Sequence, residues 1–235
     1  MSLNQVGVQY ELSIFPAADS AGTYTQRKQL VSVKKTISNA RTSLIHLLSS
    51  IVRENYEDLF SLDLRMKKLG RELSRVRGEQ AILLKEEINT VETQQAKISM
   101  IVVVFTAMTV EAYIYDYAAR HFGDAFVKDH LDKLDTVSKW IIIPELVTGR
   151  EMPRQDRWHA FLKKLIGKRN SLIHHKSSNV PPSAQDMKRY LEKLQINENE
   201  LVEIAKQSVP LLNKLADTIT RIDPEETPWV KSYLT

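Results

Sequence analysis

One short segment concentrates side chains suited to acid–base and phosphate chemistry. The stretch GKRNSLIHHKSS, residues 167–178, places Arg169, Asn170 and His174 at the predicted end of a helix. Asn170 and His174 are four residues apart, so the amide can reach and orient the imidazole. Arg169 and His174 are five apart, about 140° around a helix, and would flank a groove. A basic helix C-terminus favoured by the helix dipole explains much of the same pattern.

Arg169 is the most informative of these residues because of the helix face on which it lies. It continues an apolar face whose earlier members are Trp158, Leu162 and Leu165. An arginine at such a position has a buried partner or faces a cleft. The adjacent His175 lacks the spacing to Asn170 and is interpreted as incidental.

The residue types favour chemistry that uses no metal. An imidazole can transfer protons while a guanidinium binds a phosphate through two parallel hydrogen bonds. The chain has no cysteine, and no two of its six histidines have the i,i+4 spacing of a helical metal site. No glycine-rich phosphate loop, G-x-S-x-G elbow or H-E-x-x-H motif occurs. We therefore expect neither a metal nor another cofactor.

Positive charge is concentrated around this segment. Residues 150–176 hold eight lysines and arginines against two acidic residues, a net charge of +6 in a chain whose total is +4. Such a patch can attract the phosphates of RNA, although a solvated charged face is an equally good interpretation. The candidate RNA contacts are Lys163, Lys164, Lys168 and Lys176.

The N-terminal half predicts a strand-like arm followed by two long helices. In the arm, residues 1–24, VGVQYELSIF alternates apolar and polar positions as a strand does. An irregular arm is the alternative, because a lone strand needs a partner. A helical hairpin over 26–97 follows, with one 3-4 apolar seam to residue 60 and another from Leu69, joined by a turn near Ser61–Asp63. Its many basic residues are interpreted mainly as a solvated face.

The most apolar segment predicts a buried core helix. ISMIVVVFTAMTV, residues 98–110, is apolar on nearly all sides of a helix but has 13 residues, fewer than the roughly 20 that span a membrane. Glu111 and Asp116 follow it. A buried carboxylate needs a partner, so both either face a polar cleft or meet water or arginines at the helix end. We expect a cytoplasmic protein that does not enter a membrane.

The C-terminal part predicts further helices. A short one is expected near Asp124–Leu134, and the helix that carries Arg169 follows it. Ser183 with Asp186, and Asn197 with Glu200, resemble capping boxes that would start two more helices. The expected fold is an all-α antiparallel bundle, with a helical domain over 25–222 and a C-terminal tail over 223–235.

The segment RNSLIH resembles the R-x4-6-H motif of the HEPN superfamily, in which a polar residue often follows the arginine. FTAMTVEAYIYDYA, residues 105–118, is similar to the acidic core helix of its bacterial members. The resemblance covers residues 98–176 and implies an all-helical homodimer that brings two motifs together across a cleft. Many members are metal-independent endoribonucleases, and some are toxins or antiviral effectors.

Carried onto this chain, the resemblance implies that His174 is the general base or acid at the RNA 2′-hydroxyl and that Arg169 binds the scissile phosphate. Asn170 would position the histidine or the phosphate, and Glu111 would be a supporting polar residue. Two alternatives stay open. The chain is a catalytically inactive HEPN-like module that binds a nucleotide, an RNA or a protein such as an antitoxin, or it is a helical scaffold.

Overall fold

The described part of the chain is helical, which confirms the predicted all-α class. A computed structural model describes residues 43–153, 158–174 and 183–234, and no strand occurs among them. The predicted arm, 1–24, and the first part of the predicted hairpin, 26–42, lie outside the described residues.

Two long antiparallel helices form the first layer. Helix α1 spans Ile45–Leu73 and helix α2 spans Glu79–Phe122. The predicted turn near Ser61–Asp63 is wrong, because α1 continues through it and the chain reverses at residues 74–78. No residue at 61–63 breaks a helix, whereas Gly78 has a φ of +64° that favours glycine.

The buried face of α1 is displaced by one residue from the predicted seam. The 3-4 spacing of the first predicted seam includes Leu44 and Leu47, which are 70% and 54% exposed. The core side of α1 instead carries Ile45, Leu48, Val52 and Leu59. A 3-4 spacing of apolar residues fits both the predicted face and the face displaced by one residue. Contact with the other helices selects the displaced face.

Helix α2 is the centre of the bundle. It packs against α1 and the helices α3 (Thr136–Thr148), α4 (Trp158–Ile173) and α5 (Ala184–Ile222). By length and composition alone α2 could cross a membrane, but half of its most apolar window is buried inside the bundle. The fully buried residues there include Val102, Val103, Ala107 and Val110, as the predicted core helix requires.

The remaining helices complete the bundle around α2. The short helix expected near Asp124–Leu134 is present as a helical turn at Asp124–Phe126 that continues as a π-helical turn at Val127–Leu131. In the capping box that starts α5, the Ser183 hydroxyl accepts a hydrogen bond from the Asp186 amide at 3.1 Å. The second helix start predicted at Asn197 is wrong, because α5 is continuous and passes through Pro210.

Helix α5 runs antiparallel to α1 and extends beyond the core. Arg53 donates to the Asn213 side chain at 3.2 Å, and Lys206 pairs with Asp63 at 2.7 Å. From Leu201 onward one face of α5 is buried, whereas residues 185–200 are exposed or half-buried. The apolar stripe nevertheless continues in the same phase into this exposed part through Leu194, Leu191 and Met187.

A buried ion pair fastens the C-terminal segment to α2. Residues 223–234, predicted as a tail, form a 3-10 turn at Pro224–Glu226 and helix α6, Thr227–Tyr233. The Arg120 guanidinium makes a bidentate pair with Glu226, and the two side chains are only 5% and 3% exposed. Burial would lower the pKa of Arg120, but hydrogen bonds and the charge of Glu226 raise it, so the arginine stays charged.

Tyrosines and an aspartate complete this buried cluster. Tyr113 donates to Glu226 at 2.9 Å and Tyr117 donates to Asp223 at 2.8 Å. Asp116 accepts a hydrogen bond from Arg120 at 3.0 Å. Of the two environments predicted for this carboxylate, a polar cleft or pairing with water or an arginine, it therefore has the second. Burial raises the pKa of Tyr113 well above its ordinary value, so the hydroxyl stays protonated and remains a donor.

Two glycines offer a matched test of the hairpin. A Cβ added at Gly78 or at Gly70 meets no atom within 4 Å, so only the backbone conformation distinguishes them. Gly78→Ala should lower the free energy of unfolding by about 1–3 kcal/mol because its positive φ becomes strained. Gly70→Ala, inside α1, should raise it by about 0.5–1 kcal/mol. Urea denaturation measures both, and an equal effect at the two positions would contradict the assigned turn.

The buried pair gives a second stability prediction. Arg120→Met should lower the free energy of unfolding by about 3–5 kcal/mol, because it leaves the Glu226 charge buried without its partner. The control is Arg65→Met, which breaks the exposed pair with Glu87 and should cost less than about 1 kcal/mol. A comparable loss for both variants in urea denaturation would show that the Arg120 pair is not a special anchor.

Candidate functional site

A cleft lies where α1, α2, α3 and α4 meet, and Arg169 forms part of its wall. Its volume is about 540 Å³. The residues that line it are Leu48, Met108, Glu111, Ala112, Tyr115, Asp132, Thr136, Lys139 and Arg169. The structure therefore brings together Arg169 and Glu111, two of the sequence-predicted site residues, which lie 58 positions apart in the chain.

Arg169 and Glu111 form an ion pair at this wall. One guanidinium nitrogen of Arg169, Nη2, donates to Glu111 Oε2, and the side chains are 20% and 33% exposed. The other carboxylate oxygen, Oε1, accepts from the Thr136 hydroxyl at 2.9 Å. Three helices thus fix the carboxylate and the guanidinium relative to each other. Arg169 has the partner that its place on an apolar face predicted.

The paired arginine keeps hydrogen-bonding capacity. Its Nη1 donates to the side-chain oxygen of Asn170 at 3.0 Å, and its buried Nε has no hydrogen-bond partner among the described residues. A guanidinium carries five N–H groups, two on each terminal nitrogen. These contacts use one N–H on Nη1 and one on Nη2, so each terminal nitrogen keeps a second N–H that can donate to a phosphate oxygen.

His174 lies outside this cleft. It is exposed, it follows the last residue of α4, and its backbone N–H donates to the Asn170 carbonyl oxygen at 2.9 Å. The side-chain oxygen of Asn170 contacts Arg169 instead of the imidazole. Within one chain the described residues therefore join Asn170 to Arg169, and His174 faces solvent beside them.

The predicted basic contacts fall into three groups. Lys163 and Lys164 are exposed on α4. The side chain of Lys168 is only 11% exposed, and its ammonium group pairs with Glu200 at 2.7 Å and donates to the Asn197 carbonyl at 3.0 Å. Lys176 and His175 lie outside the described residues. Lys163 and Lys164 thus lie on the surface of α4, while Lys168 links α4 to α5.

Sequence reasoning missed the side of the cleft that α3 and the segment before it supply. Lys139 pairs with Asp132 at 2.9 Å, and its side chain is 15% exposed. Tyr115 is half-buried on α2, one helical turn after Glu111. The i,i+4 spacing of Glu111 and Tyr115 could have indicated a shared face, but no local signal connects them to residues 132–139.

A second group of ionisable side chains has a structural role. His121, Asp223 and Glu226 offer ligand atoms within 4.8 Å of one another, close enough in principle for a metal ion. The carboxylates already accept hydrogen bonds from Arg120, Tyr113 and Tyr117. A metal would have to displace a buried guanidinium that remains positively charged, so this group fits an ion-pair cluster better than a metal site.

Comparison with known proteins adds no assignment. No protein-family model, no curated protein and no solved structure matches the chain. Function must therefore be inferred from the Arg169 site itself.

Proposed function

We propose that this chain is a cytoplasmic, HEPN-like metal-independent endoribonuclease that acts as a homodimer. The observation that carries the proposal is the placement of Arg169, which Glu111 and Asn170 hold in a cleft, with two terminal N–H groups that no contact among the described residues uses. A guanidinium held in this way can bind a phosphodiester in a defined orientation. A basic arginine followed by an exposed histidine at the same helix end supplies both functions that RNA cleavage requires.

The chemistry needs only groups that the motif supplies. His174 accepts the proton of a ribose 2′-hydroxyl, whose oxygen attacks the adjacent phosphorus. Arg169 stabilises the negative charge that develops on the phosphoryl oxygens. The bond from phosphorus to the 5′-oxygen breaks, and that oxygen takes a proton from a histidine acting as acid. The products are a 2′,3′-cyclic phosphate and a 5′-hydroxyl.

A second copy of the chain is part of the proposal because one chain separates the two roles. Arg169 faces the cleft, while His174 is exposed at the end of α4. The exposed apolar stripe on α5 begins beside this helix end, since Lys168 contacts Asn197 and Glu200. Burying that stripe between two copies would bring two motifs near each other. A protein antitoxin that covers the same surface, and a role in toxin–antitoxin systems or defence, belong to this proposal.

Charge neutralisation favours a second candidate function. Glu111 neutralises Arg169, and Glu200 neutralises Lys168, so the motif carries less free positive charge than its sequence indicates. An inactive module that binds a nucleotide, RNA or protein through this cleft fits that feature. It differs from the nuclease in one measurable respect, because it binds its ligand and leaves the phosphodiester intact.

Replacing His174 tests catalysis directly. His174→Ala should reduce metal-free cleavage of single-stranded RNA by about 100-fold or more, since general acid–base catalysis contributes about 10²–10⁴-fold. The melting temperature should not change, because the side chain is exposed. The control is His46→Ala, an exposed histidine on α1. Cleavage that requires added Mg²⁺, or that survives in His174→Ala, would sink the nuclease proposal.

Mixed dimers test whether two chains build one site. Arg169→Gln and His174→Gln, co-expressed with different tags and purified as a heterodimer, should cleave RNA at least about tenfold faster than either variant alone, because a shared cleft recovers one intact arginine and one intact histidine. The measurement is the initial rate at matched dimer concentration. No recovery would mean that each chain uses its own motif, or that the chains do not share a cleft.

A further inference from the structure

We infer that the cleft beside Arg169 is a pocket for a single unstacked nucleobase of the bound RNA. Tyr115 would stack on the base, and the Asp132–Lys139 pair would contact its edge. The inference rests on the proposed function and deepens it, because it names the part of the substrate that this cleft recognises. It also gives a role to residues that the motif does not include.

The size and position of the cleft suit a base next to a bound phosphate. Its volume of about 540 Å³ lies within the range of about 300–1,000 Å³ that is usual for small-molecule sites. Arg169 lines the cleft and is also the proposed phosphate ligand. A nucleotide whose phosphate contacts Arg169 therefore has a cavity beside it into which its base can turn.

Part of the cleft lining is apolar and includes an aromatic residue. The apolar and aromatic lining residues are Leu48, Met108, Ala112 and Tyr115, and Met108 is 38% exposed. Bases of single-stranded RNA stack on aromatic side chains, which tolerate different bases because every base has a π-face. Methionine adapts its shape to flat ligands of different outline.

The charged residues that line the cleft carry no net charge. They are two cations, Lys139 and Arg169, and two carboxylates, Asp132 and Glu111. A polyanion such as a triphosphate would favour a net positive wall. A base edge is uncharged and places N–H donors next to carbonyl or ring-nitrogen acceptors, which is what an adjacent carboxylate and ammonium complement.

Lys139 and Asp132 are the residues most directly available for this contact. Their ion pair is 2.9 Å long, and Lys139 is mostly buried while Asp132 is 53% exposed. Glu111, in contrast, already accepts from Thr136 and Arg169. The Asp132–Lys139 pair is thus a donor–acceptor unit at the cleft wall that Arg169 does not use.

The test compares RNA with and without bases. The probe is a fluorescent pentanucleotide with 2′-O-methyl groups, which removes the attacking hydroxyl, and its abasic counterpart has the same backbone charge. The wild-type protein should bind the base-containing probe about tenfold or more tightly than the abasic probe, by fluorescence anisotropy. Tyr115→Leu, which keeps apolar volume but removes the ring, should reduce this ratio by about tenfold.

Matched variants separate stacking from folding and from edge contact. Tyr115→Phe keeps the ring and should retain the wild-type ratio. Lys139→Met, at an independent position, should reduce the ratio by about threefold or more while binding of the abasic probe stays the same. Circular dichroism melts verify that each variant is folded. Wild-type ratios in both Tyr115→Leu and Lys139→Met, or equal binding of the two probes by the wild type, would overturn the inference.

Cleavage assays on the same variants distinguish this failure from failure of the proposed function. If wild-type protein cleaves RNA without metal but Tyr115→Leu and Lys139→Met both keep the wild-type probe ratio, the base pocket is wrong and the nuclease stands. If wild-type protein cleaves no RNA but Tyr115→Leu no longer distinguishes the base-containing probe from the abasic one, the base pocket is supported and the nuclease proposal is wrong. The protein would then be a binding module.

Discussion

Burial of helix α2 is the constraint on which the rest of the structure depends. The part of this 44-residue helix from Ser99 onward runs through the middle of the bundle, and Val102, Ala107 and Val110 are completely shielded from water. Four other helices cover its apolar surface because no single helix can enclose a helix that is apolar on nearly all sides. This packing determines where every polar residue of α2 must find a partner.

Helix α2 takes part in two arginine–carboxylate pairs that differ in exposure. Arg120 and Glu226 are almost completely buried, and Glu226 also accepts a hydrogen bond from Tyr113. Arg169 and Glu111 are partly exposed and border a cleft. Closed pairs of the first kind hold a chain segment in place, whereas a pair open to solvent can exchange one partner for a ligand. The difference in exposure separates an anchor from a candidate site.

The proposed site would combine two adjacent but chemically different recognition surfaces. The guanidinium N–H groups of Arg169 would bind a phosphate, while Tyr115 of α2 and the Asp132–Lys139 ion pair would bind an uncharged planar group. The proposed dimer would place the exposed His174 of a second motif near the phosphate. Each step would then involve a different element. Helix α4 would bind the phosphate, α2 and α3 would bind the base, and the end of α4 in the partner subunit would transfer protons.

Much of the fold could be predicted from local pattern, and less of the site. The helical class, the core helix around Val103 and the cap at Ser183 follow from periodicity and capping chemistry. The position of the α1–α2 turn and the phase of the α1 seam were wrong, because several phases satisfy a 3-4 pattern and only neighbouring helices select one. Lys139 and Tyr115 could not be assigned to a site, since their relation to Arg169 arises only from helix packing.

The sequence by itself determined that Arg169 needs a partner, because a charged group on an apolar helix face is costly when it is left alone. It did not determine the partner. Glu111 and Asp116 both lie on α2, yet Glu111 meets Arg169 of another helix, whereas Asp116 meets Arg120, its i,i+4 neighbour on the same helix. Only the tertiary structure decided that Arg169 pairs with Glu111, since the axial position of α4 against α2 sets which carboxylate the guanidinium can reach.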